Sequence, residues 1–235
     1  MTAARDVFQE RCGEAENLLA YLEEAEGLST AASGDAPKGE TLRILRASCY
    51  VMIYNMVEST MSVCLKDLSS AVRGTATSIK DLKQEIFDLY LVSKYGNRIM
   101  ASSHEKAAVF ARDLLNDASG TSIPEFVFSA PSGNCTDSNV EKALRKVGIE
   151  FEIIPELHTR VKRKAINDRT LLEGLVMVRN DLAHGNRAFS EVGQDSTVTD
   201  LREIFTLAAE YMEVVVNHFE EYINNSGYLG SIMRA

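Results

Sequence analysis

No run of about 18 apolar residues occurs anywhere in this 235-residue chain, so no membrane-spanning helix is expected. The opening stretch, Met1 to Asp6, leads directly into acidic helical sequence without an apolar signal core; the expected location is the cytoplasm. The four cysteines, Cys12, Cys49, Cys64 and Cys135, form no CxxC pair. Three of them fall within apolar helical patterns and read as buried free thiols rather than disulfides or metal ligands. A Gly-rich phosphate loop, HExxH and GxSxG are all missing, as are internal repeats and low-complexity segments. Neither a metal nor a cofactor is expected. An overall basic excess is missing too: the net charge of −9 argues against broad, non-specific nucleic-acid binding.

What is present is helical periodicity. Residues 6–26 place Val7, Phe8, Cys12, Ala15, Leu18, Leu19 and Leu22 on one side of a helix whose other side is acidic. Residues 29–38 are small and polar and read as a loop. The longest helix is expected over 40–73. Its middle, from Ser48 to Leu65, is apolar on nearly every side, which belongs at the centre of a bundle. Glu58 stands out there, since a carboxylate in a buried helix is rarely left unpaired. Two readings remain open: Glu58 holds a neighbouring helix through an arginine or a backbone group, or it orients Arg179 or His184.

Further helices are expected over 78–95, ending near Gly96, and from Ser103, with His104 in the capping region. Gly120 to Cys135 holds two prolines and two glycines, which excludes a long helix and allows one short strand or an extended strap around Phe126 and Phe128. A short helix capped by Asp137 or Ser138 runs to Val147 and closes at Gly148. Pro155 to Arg163 reads as a short helix or turn, 186–196 as a polar loop, and 200–224 as the last long helix, with His218 at the edge of its apolar stripe. The fold class is therefore all-α: one up-and-down helical bundle spanning 1–235 with its core over about 40–225. Residues 1–27 form an N-terminal acidic helix, 119–163 a small irregular insertion, and 227–235 a loose tail.

The chemistry concentrates at the end of one helix. Leu171, Leu172, Leu175, Val176, Val178 and Leu182 supply a buried side. Arg179-Asn180-Asp181-Leu182-Ala183-His184 follows, and Gly185 sits where a left-handed cap belongs. Arg179 and His184 are five residues apart and differ by about 140° around the axis, whereas Asn180 and His184, four apart, share a face. Histidine at a helix end is suited to proton transfer, and arginine supplies a fixed cation for a phosphate. RNA carries its own nucleophile, the 2′-hydroxyl, so its cleavage requires only proton transfer and charge neutralisation. Just upstream, residues 142–169 carry eight basic against four acidic residues. Lys162, Arg163 and Lys164 in that stretch are candidates for RNA binding, with a solvated connector as the other reading.

The six residues from Arg179 to His184 resemble the Arg-polar-x-x-x-His signature of the HEPN superfamily, in which Asn or Asp usually follows the arginine. The block Phe128-Ser-Ala-Pro-Ser-Gly-Asn134, Val140 and Lys146-Val-Gly-Ile149 is similar to a Phe-Ser-Gly-Asn…Ile…Gly-Ile block of the MAE-type HEPN-like nucleases, with Ala-Pro inserted here. Tyr50 to Glu58 is similar to that family's second helix, which carries Glu. The resemblance covers about 40–225. It implies a helical bundle that forms a homodimer, with Arg179 and His184 of each protomer lining a shared cleft. It also implies a metal-independent endoribonuclease that leaves a 2′,3′-cyclic phosphate, acting in toxin–antitoxin or anti-phage systems, where an antitoxin or regulatory protein is a further partner. Carried over by position, Arg179 binds the scissile phosphate, His184 is the general acid or base, and Asn180 supports the pair, with Glu58 and Asp181 in supporting positions. Some HEPN domains have lost catalysis and bind RNA, nucleotide or protein instead.

Overall fold

The computed structural model describes residues 2–30, 39–99, 103–120, 123, 128, 134–164 and 166–230. Among these the structure is all-helical, with two isolated β-bridges and no strand. The spine is α2 (Gly39–Thr75), 37 residues and about 55 Å long. Tyr54, Ile53, Met56, Val57, Met61, Leu65 and Leu68 along it are at most 1% exposed. Such side chains contribute roughly 1.5–3 kcal/mol each by leaving water.

Around this spine pack α1 (Ala3–Thr30), α7 (Leu171–Ala183), the one-turn α8 (Phe189–Val192) and α9 (Val198–Asn224). The stripe Phe8, Ala15, Leu19, Leu22 and Ala25 makes α1 part of the core, while Glu10, Glu14, Glu16, Glu23 and Glu24 stay exposed. Helix α9 buries Leu201, Phe205, Ala208, Met212, Val215 and Phe219. Thr197 starts it with a reciprocal cap: Thr197 Oγ1 accepts from the Asp200 N–H, and Asp200 accepts from the Thr197 N–H at 2.8 Å. Helices α1 and α9 are laced together at both ends. Arg5 bonds Glu213 and, at 2.5 Å, Glu220; Arg202 bonds Glu16 at 2.5 Å and Glu23 at 3.0 Å.

The helix expected over 78–95 is two elements. A single 3-10 turn spans Ile79–Asp81, and α3 (Gln84–Ile99) follows and continues past Gly96. Asp81 accepts from the Ser78 N–H at 2.7 Å, which closes the turn. Leu82 is then extended and bridges Leu229, and the Lys83 N–H donates to the Tyr228 carbonyl at 2.8 Å. The break is therefore set by the far end of the chain. By the same contacts Gly227–Gly230 is not loose: Tyr228 is 2% exposed, its hydroxyl donates to Thr75 Oγ1 at 3.0 Å, and the Gly230 N–H donates to the Asp81 carbonyl. Residues 231–235 lie outside the described residues, as do 31–38 of the expected loop and Phe126 of the expected strand. Of that strap, Phe128 is buried and its N–H donates to Ser69 Oγ on α2.

Helix α4 (His104–Ser119) packs on α3 through one polar knot. Asp117 accepts from Tyr90, Tyr95 and Lys94. Helix α5 (Asp137–Lys146) is capped by Thr136 rather than by Asp137 or Ser138. Asp137 is instead buried, with its carboxylate accepting from Lys162 and from Thr170 Oγ1 at 2.9 Å. Gly148, at φ +77, closes the helix. Helix α6 (Pro155–Lys162) follows an extended stretch. The polar loop after α7 contains α8, which buries Val192 and brings Gly193 against α2 so closely that a Cβ there would lie 1.7 Å from the Arg43 carbonyl oxygen. All four cysteines are free thiols, three of them buried and Cys12 partly so. Burial pushes Cys12 up to about 11 and Cys49 and Cys135 up to about 12, which keeps them protonated at neutral pH. No described helix is long and apolar enough to cross a membrane.

Candidate active site at the end of α7

Helix α7 begins at Thr170, whose hydroxyl bonds Asp137 instead of capping its own helix. Its buried side is the expected one: Leu171, Leu172, Leu175, Val176, Val178 and Leu182. Gly174 allows the Ile166–Arg169 turn to lie directly on the helix, since a Cβ would meet Ile166 at 2.4 Å. The helix ends as its cap residues dictate. The His184 N–H donates to the Asn180 carbonyl at 2.9 Å, Gly185 turns left-handed at φ +69, and the Asn186 N–H reaches back to the Asp181 carbonyl at 2.9 Å. No atom crowds Gly185; its dihedral alone demands glycine there.

The polar residues emerge at the surface instead of being trapped in the core. The Arg179 side chain is 30% exposed and that of Glu58 24%. Asn180 and Asp181 are half-buried and His184 is exposed. Three groups surround the Arg179 guanidinium. Nη1 donates to Asn180 Oδ1 at 3.0 Å, Nη2 lies 3.9 Å from Glu58 Oε2, and the guanidinium carbon stands 5.2 Å from the centre of the Tyr54 ring. Tyr54 is buried, and burial foremost, with neighbouring Cys135 next, pushes its hydroxyl up to about 12. The arginine that Glu58 faces across the contact with α7 is Arg179 itself, at 3.9 Å.

The structure brings Arg179, Asn180 and Glu58 together and adds Tyr54. It places His184 on the turn that follows, where its ring makes no hydrogen bond or ion pair among the described residues. Asp181 lies to the side, accepting from Asn186 Nδ2 at 3.4 Å. Lys162 is committed elsewhere: its ammonium bonds buried Asp137 and, at 2.8 Å, Glu141. Burial disfavours its charge, and those two carboxylates more than restore it. Arg163 and Lys164 are exposed and line a cleft of about 720 Å³ between α6, α7 and α9, together with Arg160, Arg187 and Arg202. The floor of that cleft includes Leu171 and Val178 of α7. Arg179 points about 100° around the helix from Val178, so the cleft and the Arg179 group occupy different sides of α7.

Tyr54 carries no signal in a search for polar chemistry. The trace available is its spacing, since Tyr54 and Glu58 are one turn apart on α2 and share a face. Among the described residues no group of three or more His, Cys, Asp or Glu is placed to hold a metal ion.

An all-helical protein built on a long central helix, with Arg and His five residues apart at the end of a second helix, defines a HEPN-type architecture. The chain matches the family described as MAE_28990-like HEPN over residues 5–228 and belongs to it. The match extends through α1 to the tail segment. No curated protein and no solved structure matches the chain at a significant level. HEPN domains of this kind are in general ribonucleases or nucleotide-binding modules.

Proposed function

We propose that the protein is a metal-independent endoribonuclease of the HEPN type. One observation carries the reading: a guanidinium held by neighbours on two helices, with an exposed histidine one turn further along. In this reaction the 2′-hydroxyl of RNA loses its proton to a base, and its oxygen attacks the adjacent phosphorus. The bond to the 5′-oxygen breaks, that oxygen leaves with a proton from an acid, and a 2′,3′-cyclic phosphate remains. His184 is the proton-transfer group. Arg179 neutralises the phosphoryl oxygens in the transition state, and Asn180 holds Arg179. Arg163 and Lys164 attract the RNA backbone. Two copies of the chain form the working unit and supply base and acid from two histidines. The surface that favours this is the outer face of α2, where Ile44 is 41% exposed and Val51, Met52 and Val63 are only partly covered, next to Phe189 at 38%. A role as a toxin or anti-phage effector, restrained by an antitoxin or regulatory protein, fits an RNase of this kind.

A second reading is a module that binds RNA, nucleotide or a regulatory protein without turnover. The observation that favours it is the His184 ring, which no described side chain orients. Wild type, His184→Ala and Arg179→Ala, each incubated with total RNA in EDTA and each melted, separate the two. Cleavage by wild type alone at matched melting temperatures supports the nuclease. Intact RNA with measurable binding by all three supports the module.

A further inference from the structure

Arg179 faces a carboxylate at 3.9 Å, too far for a close ion pair, and a ring face at 5.2 Å. We propose that Tyr54 is a positioning residue for Arg179, acting through the face of its ring and not through its hydroxyl. The catalytic part of this inference rests on the nuclease reading above; the positioning part does not.

Four features of the geometry lead to it. First, the ring is enclosed: Tyr54 is 1% exposed in the middle of α2, between buried Ile53 and Met56. Second, its hydroxyl points into the protein beside Cys135 and is buried, so it cannot reach RNA. Third, the ring attracts a cation through its negative face and occupies none of the N–H donors of the guanidinium. A guanidinium has five donors. Carboxylates at bonding distance engage those donors, as Glu23 takes two and Glu16 a third from Arg202 at 2.5–3.1 Å. At Arg179 the hydrogen bond from Nη1 to Asn180 is the one made to a described side chain, and Nη2 stands 3.9 Å from Glu58, so the ring does not compete for the donors that a phosphate would need. Fourth, Glu58 follows Tyr54 by one turn, so ring and carboxylate act on the guanidinium from one helix. The result is an arginine fixed in direction with its fork open to a phosphate.

The inference makes opposite demands on two substitutions at one position. Tyr54→Phe keeps the ring and is expected to retain cleavage. Tyr54→Leu removes the ring and is expected to lower kcat by about 10²-fold, the cost of misplacing a catalytic group by about an ångström, with little change in KM. The Leu variant changes a buried residue, so two further readouts keep the test decisive. In Arg179→Ala, added guanidinium ion is expected to restore part of the activity when residue 54 is Tyr or Phe and none when it is Leu. In uniformly 15N-labelled wild type, the Arg179 Nε–H proton, assigned by its loss in Arg179→Lys, is expected to be shifted upfield by the ring. A wild-type resonance at the ordinary arginine position would overturn the inference even if Tyr54→Leu fails to fold. Equal kcat in Phe and Leu variants of matched stability would overturn it as well. If wild type leaves RNA intact while the Arg179 proton is shifted, the nuclease reading fails and the positioning role stands.

Discussion

Arginine is used in two ways in this molecule. Along the α1–α9 seam, Arg5 and Arg202 are each bound by two carboxylates at close distance, and Arg5 also donates to Asn217 at 2.6 Å. Arg187, just past the end of α7, is bound by Glu191 at 2.9 Å and Asp195 at 2.6 Å. Arg179 is held by an amide, a ring face and a more distant carboxylate. The first arrangement uses the donors of the guanidinium to set helix register. The second, in the reading proposed above, sets the direction of the guanidinium while engaging few of its donors. Along the α1–α9 seam acidic side chains bind arginines; at Arg179 the one carboxylate in reach stands 3.9 Å away.

The contrast can be broken by exchanging roles. The largest expected effect is on activity. Arg179→Ala should lower RNA cleavage by about 10²–10³-fold and leave the melting temperature nearly unchanged, whereas Arg202→Ala, on the cleft beside Arg163 and Lys164, should leave kcat intact, raise KM at most slightly and cost only about 0.2–1 kcal/mol, as exposed ion pairs do. Steady-state cleavage and thermal melts on both variants check this. Arg179→Lys is expected to resemble Arg179→Ala, since a point charge cannot replace the planar fork.

Next comes stability away from the site. Asp137, 3% exposed as a side chain, receives Lys162 and Thr170 and so ties α5 and α6 to the start of α7. Asp137→Ala should cost about 2 kcal/mol, below the usual figure for breaking a buried pair because Lys162 can still reach water. Urea unfolding measures it. Gly185→Ala, at φ +69 with open space around the missing Cβ, should cost about 1 kcal/mol through its dihedral alone. A loss of activity in that variant larger than its loss of stability would indicate that the cap also aims His184.

The smallest expected effect is in the pH dependence. The hydrogen bond from Arg5 holds the Glu220 carboxyl below its ordinary value of 4.5. A depressed folded-state pKa stabilises the protein above the unfolded value, and that stability is lost as pH falls through the folded value. Glu220→Gln should therefore be destabilising at neutral pH by a fraction of a kcal/mol, with the difference vanishing at acid pH. Melting temperatures of the two proteins, followed downward from pH 7, should converge only after the pH has fallen through the depressed folded-state value.

Much of this was legible in the residues, and the failures share a cause. Helices α2, α7 and α9 follow from apolar spacing, and Gly185 marks the end of α7 as its positive φ requires. Glu58 announces itself as a carboxylate in apolar surroundings. The break at Leu82–Lys83 is invisible locally, because Tyr228 and Gly230 impose it from nearly 150 residues away. The same pairing hides the order of 227–230. Asp137 reads as a cap from its position, but Lys162 and Thr170 claim it in three dimensions. Lys162, a candidate for RNA, is for that reason an internal tie. Tyr54 escapes notice because the part of it that matters is apolar: sequence patterns flag polar atoms, and here the ring face is in contact.

In the proposed reaction an RNA 2′-hydroxyl is the nucleophile and His184 handles its proton. The most direct test is a pair of oligonucleotides identical except for a 2′-deoxy sugar at the cleaved position, each incubated in EDTA with wild type and His184→Ala. The account predicts cleavage of the all-RNA strand by wild type alone, with a 2′,3′-cyclic phosphate at the new end. Cleavage of the deoxy strand at an equal rate, or undiminished cleavage by His184→Ala, would contradict it.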